Sequence, residues 1–305
     1  MALDLKNKLV VGISSRALFD LEEENRIFEE EGLNAYEEYQ LAHENEILKP
    51  GTAFPLVKAL HNLNCGDERL VEIIIMSKNS TNTSLRIFNS IEKYGLDISR
   101  AALVSGGSIA PYLASFKTDL FLSADERDVE EAVNAGFAAG IICSHNELPI
   151  DADEEIGQIK IAFDGDAVIF SDESEKIYQS EGLAAFTEHE RENAQKPLPE
   201  GPFAKLLKTI SFVQKQFGES DMPIRTALVT ARNAPAHERV IRTLRAWDVR
   251  IDEAFFLGGI RKSEVLEAFG AHIFFDDQSV HTDPASKVVP AARVPYRKNC
   301  EKDPE

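Results

Sequence analysis

Apolar runs too short for a helix recur along the chain and alternate with longer amphipathic stretches. Residues 8–13 (Lys-Leu-Val-Val-Gly-Ile) read as a buried strand, as do 71–76, 101–104, 119–122 and 141–143. A second series follows at 159–163, 225–229, 254–257 and 272–275. Between the first two runs, an acidic stretch from Glu22 to about Glu46 predicts a long helix. Leu85, Phe88 and Ile91 fall at helical spacing after the next run. Strands alternating with helices imply right-handed crossovers and a mainly parallel sheet, an α/β protein of Rossmann-like type.

The pattern occurs twice. Setting Ser14-Ser15-Arg16-Ala17 against Asp164-Gly165-Asp166-Ala167 gives an offset of 150, which also pairs Gly32-Leu33 with Gly182-Leu183 and Gly51 with Gly201. Further on, small insertions shift the match. Met76-Ser77-Lys78-Asn79 falls against Thr230-Ala231-Arg232-Asn233, Ser105-Gly106-Gly107 against Leu257-Gly258-Gly259, and Leu122-Ser123-Ala124 against Phe275-Asp276-Asp277. Two related halves are expected, 1–150 and 151–305, joined by the polar, aperiodic residues 144–157. Acidic residues at strand ends appear only in the second half, which marks it as the chemical one.

Composition narrows the function. With 305 residues, 43% hydrophobic and 28% charged, the chain has the balance of a globular protein long enough for two cores. A formal net charge of −19 argues against nucleic acid or an anionic membrane as partner. Cys65, Cys143 and Cys300 are odd in number and lack C-x-x-C spacing, so neither a disulfide framework nor a zinc site is expected. The N-terminal residues lack the pattern of a leader, and the expected location is the cytoplasm.

In an open parallel sheet, residues at the carboxyl ends of strands converge on one crevice. Four ends of the second half carry polar groups: Asp164 and Asp166; Thr230, Arg232 and Asn233; the Gly258-Gly259 loop leading to Lys262; and Asp276-Asp277. Gly165 between the first two acids would let the backbone turn sharply against a ligand. Carboxylates with one Lys, one Thr and no His or Cys suit a hard cation such as Mg²⁺, and hence phosphate. Singly, Thr230 reads equally as a helix cap, Lys262 as a solvated helix residue and Asp276-Asp277 as a turn. Asp151-Ala152-Asp153 repeats the D-x-D spacing in a wholly polar run and reads as a solvated loop.

These residues resemble the four motifs of the haloacid dehalogenase superfamily: Asp164-Gly165-Asp166-Ala167-Val168, Thr230, Lys262 and Asp276-Asp277. More narrowly, the strings 162–168, 170–175, 229–232, 272–278 and 14–20 are similar to those of the cytosolic 5′-nucleotidase type I family. That resemblance implies a catalytic core in the second half with a small cap inserted at about 172–217. It implies Mg²⁺-dependent hydrolysis of nucleoside 5′-monophosphates, AMP or dAMP foremost, through an aspartyl-phosphate on Asp164. Asp166 would be the general acid and base, with Thr230 and Lys262 holding phosphoryl oxygens. Asp164, Asp166 (through its carbonyl), Asp276 and Asp277 would bind the metal. Gly165, Glu175, Ala231, Arg232 and Asn233 would line the substrate.

Two alternatives stay open in the sequence: a phosphatase of another small metabolite, and a nucleotide-binding regulator without turnover. The first half keeps Arg16 and Lys78 at strand ends, which raises a nucleotide or phosphate effector site there. Weighing more than that reading is the pairing of Arg16 with Asp20 or a Glu of the following helix. A homo-oligomer is also left open.

Overall fold

The structure is a computed structural model that describes residues 5, 7–64, 69–143, 150–218 and 222–296. Its strands are β1 Leu9–Ile13, β2 Val71–Ser77, β3 Arg100–Leu103, β4 Leu120–Ser123, β5 Ala138–Ile142, β6 Ile159–Phe163, β7 Ile224–Thr230, β8 Glu253–Phe256, β9 Ile273–Asp276 and β10 Ala291–Arg293. They form one ten-stranded sheet in the order β3-β2-β1-β4-β5-β10-β9-β6-β7-β8. Read inward from either edge, the two halves have the same order. Every neighbouring pair is parallel except β5 and β10, which are antiparallel. The copies therefore meet across a local two-fold at the β5–β10 seam, and their strands run in opposite directions.

The strand expectations hold, with β10 as an addition. Ala291-Ala292-Arg293 lies between Pro290 and Pro295, is too short to show a period, and pairs Ala292 with Ile142 and Arg293 with Ile141. The long acidic helix is instead two, Glu22–Glu31 and Leu33–Ala42, because Gly32 sits between them at φ 89°. In the second half, Gly182 at φ 84° breaks the helix Glu173–Glu192 at the matching place. Both are left-handed backbone values that a side chain disfavours.

Strand register corrects the repeat after β1. Ile13 pairs with Ile75, and its counterpart Phe163 pairs with Leu228. The residue matching Thr230 is thus Ser77 and not Met76, and Asn79 matches Arg232. The hydrogen bonds agree: the Asn79 N–H donates to Ser77 Oγ and the Arg232 N–H to Thr230 Oγ1, both at 3.2 Å. In the loop after the third strand, the N–H groups of Val104 and Leu257 donate to the carbonyls of Ser77 and Thr230, so Ser105 matches Gly258. Apolar runs tolerate a slip of one residue when aligned by eye. Ladder pairing does not, because it would reverse every side chain.

One sheet face carries a core shared by both halves, in which Leu56 and Leu60 of the helix Phe54–His61 join Leu206 and Ile210 of the helix Ala204–Gln214 over β1, β4, β6 and β9. The other face carries two separate clusters, one around Val10, Ile74 and Phe121 and one around Ala162, Val229 and Phe274. Within the stretch 172–217, the helix Ala204–Gln214 belongs to the core, and the broken helix Glu173–Glu192 stands over the strand ends. Of the expected joining segment, 144–149 lies outside the described residues; beyond it, Asn62 Nδ2 donates to the Ile156 carbonyl at 3.2 Å. Asp151 and Asp153 are exposed in a turn closed by the Asp153 N–H on Asp151 Oδ1. Cys143 is a free thiol, while Cys65 and Cys300 lie outside the described residues.

Candidate active site

β6 ends at Phe163, and the next residue, Asp164, donates its backbone N–H to the Phe275 carbonyl of β9 at 2.8 Å. That bond holds the first acid beside the end of β9, where Asp276 and Asp277 follow. The chain then makes a wide turn over Gly165–Ile169, closed by the Phe170 N–H on the Gly165 carbonyl at 2.9 Å. The left-handed residue of this turn is Ala167, at φ 61° and ψ −5°, and not Gly165 as the sequence suggested. A Cβ on Gly165 would meet Thr230 Oγ1 and Leu228 only at 3.5 Å, an ordinary contact.

Three carboxylates converge: those of Asp164, Asp276 and Asp277 each offer an oxygen within 4.8 Å of the others, and all three residues are buried. Lys262, the first residue of the helix Lys262–Phe269, reaches in from the loop after β8. Its ammonium donates to Asp164 Oδ1 at 2.7 Å and to Asp276 Oδ2 at 2.6 Å. Asp276 Oδ1 accepts the Gln278 N–H at 2.9 Å, and Asp277 Oδ2 accepts the Tyr296 hydroxyl. Asp277 Oδ1 is buried with no hydrogen-bond partner among the described residues.

Burial pushes Asp164 and Asp276 above the usual carboxylate range, and Lys262 opposes the shift in each. Asp277 is pushed up to about 6 by burial, against the Tyr296 hydrogen bond. Burial would also lower Lys262, but Asp164 and Asp276 outweigh it and hold its ammonium above its ordinary value. Three buried carboxylates against one ammonium leave an excess of two negative charges when all are ionised. Leaving such groups uncompensated is costly. A divalent cation with oxygen ligands fits this donor set, and the unpartnered Asp277 Oδ1 is an acceptor available to it.

Asp166 lies outside this cluster. Both of its oxygens are held by Arg232, at 2.7 Å from Nε and 2.6 Å from Nη2. The remaining Arg232 nitrogen donates at 2.5 Å to Glu190 of the helix Glu173–Glu192, and Glu190 also accepts from Arg239 at 2.9 Å and Ser174 at 2.8 Å. Of the predicted residues, Asp164, Thr230, Lys262, Asp276 and Asp277 are thus assembled and buried. Asp166 and Arg232 form a second, adjoining pair. Ala231 and Asn233 are exposed at the rim, and Glu175, half-buried, accepts from Gln179.

The model of the 5′-nucleotidase family matches residues 1–301. The chain belongs to that family. Human cytosolic 5′-nucleotidase 1B is 39% identical over 305 residues, covering 96% of this chain and 50% of that protein. The chain therefore spans about half the length of this relative. A chain from a solved structure of a Pnkp1/Rnl/Hen1 complex is 14% identical with a TM-score of 0.32, over 95% of this chain and 97% of that one. So slight a likeness carries no argument.

In this 5′-nucleotidase family member, the residues that sequence reasoning missed are Glu190, Arg239, Ser174 and Tyr296. Glu190 is one acid among many on its helix, and only its spacing of four from inward-facing Phe186 sets it apart. Arg239 was findable from the repeat at its correct register. Its Nε donates to the Lys196 carbonyl at 3.0 Å, and that of Arg86 donates to the Glu46 carbonyl at 2.9 Å. Tyr296 follows the last strand without any pattern. No helix among the described residues is long and apolar enough to cross a membrane.

Proposed function

We propose that the second half is a haloacid-dehalogenase-type catalytic core that hydrolyses nucleoside 5′-monophosphates to nucleoside and phosphate. The observation that carries this reading is the buried trio Asp164, Asp276 and Asp277 bridged by Lys262, in a chain of the 5′-nucleotidase family. Asp164, Asp276 and Asp277, with the Asp166 backbone carbonyl, would hold Mg²⁺. When bound, the ion would supply positive charge that reduces repulsion between the carboxylates and an incoming phosphate.

An Asp164 oxygen attacks phosphorus, the P–O5′ bond breaks, and its electron pair leaves with the nucleoside oxygen. Asp166 delivers a proton to that oxygen. Asp166 then takes a proton from water as the water oxygen attacks phosphorus, and the bond between phosphorus and the Asp164 oxygen breaks to free phosphate. Lys262 and the Thr230 hydroxyl hold phosphoryl oxygens and offset charge that develops on them. Arg232 orients Asp166, and Glu190 fixes Arg232 from the helix Glu173–Glu192. This broken helix acts as the cap, with its nucleoside-facing side formed by Glu175, Tyr178 and Phe186 and the rim by Ala231 and Asn233. The cytosol is the proposed location, in keeping with the name of the human relative.

Phosphate release from a panel of nucleoside monophosphates, AMP and dAMP included, with Mg²⁺ and after chelation, tests this reading. Release from at least one of them, lost on chelation and restored by Mg²⁺, is expected. Release from sugar phosphates alone, or activity that survives exhaustive chelation, would overturn it.

A further inference from the structure

At the corrected register, the first half has lost the charged cluster of the second. Ser14 stands for Asp164, Ser123 and Ala124 for Asp276 and Asp277, and buried Ile109 for Lys262; only a hydroxyl, Ser77 for Thr230, remains. The helices over the strand ends are kept in detail. The rings of Phe28 and Tyr36 meet edge-on at 6.0 Å and 80°, and those of their counterparts Tyr178 and Phe186 at 6.2 Å and 82°. Gly32 and Gly182 break the helices at nearly the same angle, φ 89° and 84°. What held phosphate and metal is gone; what stood over the rest of the ligand has stayed.

Between these helices and the ends of β1, β2 and β3 lies a cavity of about 340 Å³, walled by Leu21, Phe28, Leu33 and Tyr36 and edged by Asn79 and Ser105. Its volume and mostly apolar lining suit a small ring-bearing molecule. The Asn79 side chain lies at this edge beside the Tyr36 hydroxyl, which also accepts from Gln40 Nε2 at 3.1 Å. The cations nearby are already engaged. Arg16 donates to both oxygens of Glu22 at 3.1 and 3.0 Å, and Lys78 lies 2.7 Å from Asp128. Glu24, which also lines the cavity, is paired with Arg86, while Glu37 adds negative charge to the lining.

We propose that this cavity binds a neutral nucleoside and not a nucleotide. The inference rests on the reading of the second half as a nucleoside monophosphatase, whose nucleoside-facing parts the first half repeats. The aromatic pair offers ring contact to the base, and Asn79 and Ser105 are the polar groups at the cavity's edge. The phosphate of a nucleotide would enter where, among the described residues, Arg16 and Lys78 are already paired and no cluster of metal-ligating side chains lies. This replaces the anion site that Arg16 and Lys78 suggested in the sequence.

Equilibrium dialysis of the full chain with adenosine and with uridine, in an Asp164→Asn background that prevents turnover, tests the proposal. At least one of the two is expected to bind, with affinity reduced about tenfold by Asn79→Ala and by Phe28→Ala, the size of a single base contact. Phe28 is 49% exposed, so its truncation leaves the core intact even if Asn79→Ala fails to fold. AMP and inorganic phosphate should not displace the nucleoside from this cavity. Binding of neither nucleoside, binding unchanged in Phe28→Ala, or displacement by inorganic phosphate would overturn the proposal. Failure of the catalytic reading shows separately, as absent phosphate release in the chain that retains Asp164.

Discussion

Both oxygens of the Asp166 carboxylate are gripped by the Nε–Nη2 edge of the Arg232 guanidinium, a bidentate geometry that Lys cannot reproduce. Arg232→Lys should therefore slow hydrolysis of AMP more than that of p-nitrophenyl phosphate, whose leaving group needs little protonation. Asp166→Asn should show the same bias more strongly, by roughly 10²-fold or more on AMP. Steady-state rates on both substrates check this, and equal losses on the two would remove the acid role. His272 gives a second residue-scale outcome, in stability. Its Nδ1 accepts the Lys160 N–H at 2.9 Å, and burial lowers its pKa below the ordinary 6.5. The fold thus prefers the neutral ring, so this contribution is present above about pH 6.5 and is lost as pH falls. Denaturant titrations should show His272→Gln losing less stability than the parent chain between about pH 7.5 and about pH 5.5. At this scale Asp164, Thr230, Lys262 and Asp276-Asp277 were legible in the sequence, because strand ends meet. The partners of Asp166 were not, because a buried Glu among solvated ones leaves no trace in a pattern.

The elements were legible where a period or an apolar run marks them, and less so where a glycine decides. The acidic stretch from Glu22 to about Glu46 read as one helix through Gly32. The backbone angle alone divides it. Gly51 and Gly201 mark another such place, where the chain crosses the turn after the first strand of each half. A Cβ on Gly51 would lie 2.7 Å from the Phe19 carbonyl carbon, and one on Gly201 2.3 Å from the Phe170 carbonyl oxygen. Matching bridges, Phe19 with Pro50 and Phe170 with Glu200, hold each crossing. Gly201→Ala should destabilise the chain by about 2 kcal/mol or more, as overpacking against backbone does. Gly157→Ala, where no described residue lies within 4 Å, should change stability by less than about 0.5 kcal/mol. Urea unfolding of the two variants side by side checks the contrast, and equal effects would contradict the close crossing.

The whole molecule reads as two copies of one grammar, and the sequence carried that much through glycines and apolar runs. It did not carry the seam, because β10 is three residues long and pairs with a strand far away in sequence. The shared core across β1, β4, β6 and β9 couples the halves. Fluorescence of Trp247, the one tryptophan, reports on the second half, whereas far-ultraviolet circular dichroism reports on both. The two unfolding curves should coincide; a separate earlier or later fluorescence transition would show that the halves unfold independently. The proposed activity depends on Asp164, placed by the bond from its N–H to Phe275 and bridged by Lys262 to Asp276. The measurement that tests this most directly is phosphate release from AMP with Mg²⁺ by Asp164→Asn beside the parent chain. The parent should release phosphate and the variant, with a thermal melt no lower than the parent's, should release none above background; hydrolysis by the variant near the parent rate would contradict the assignment of Asp164 as nucleophile.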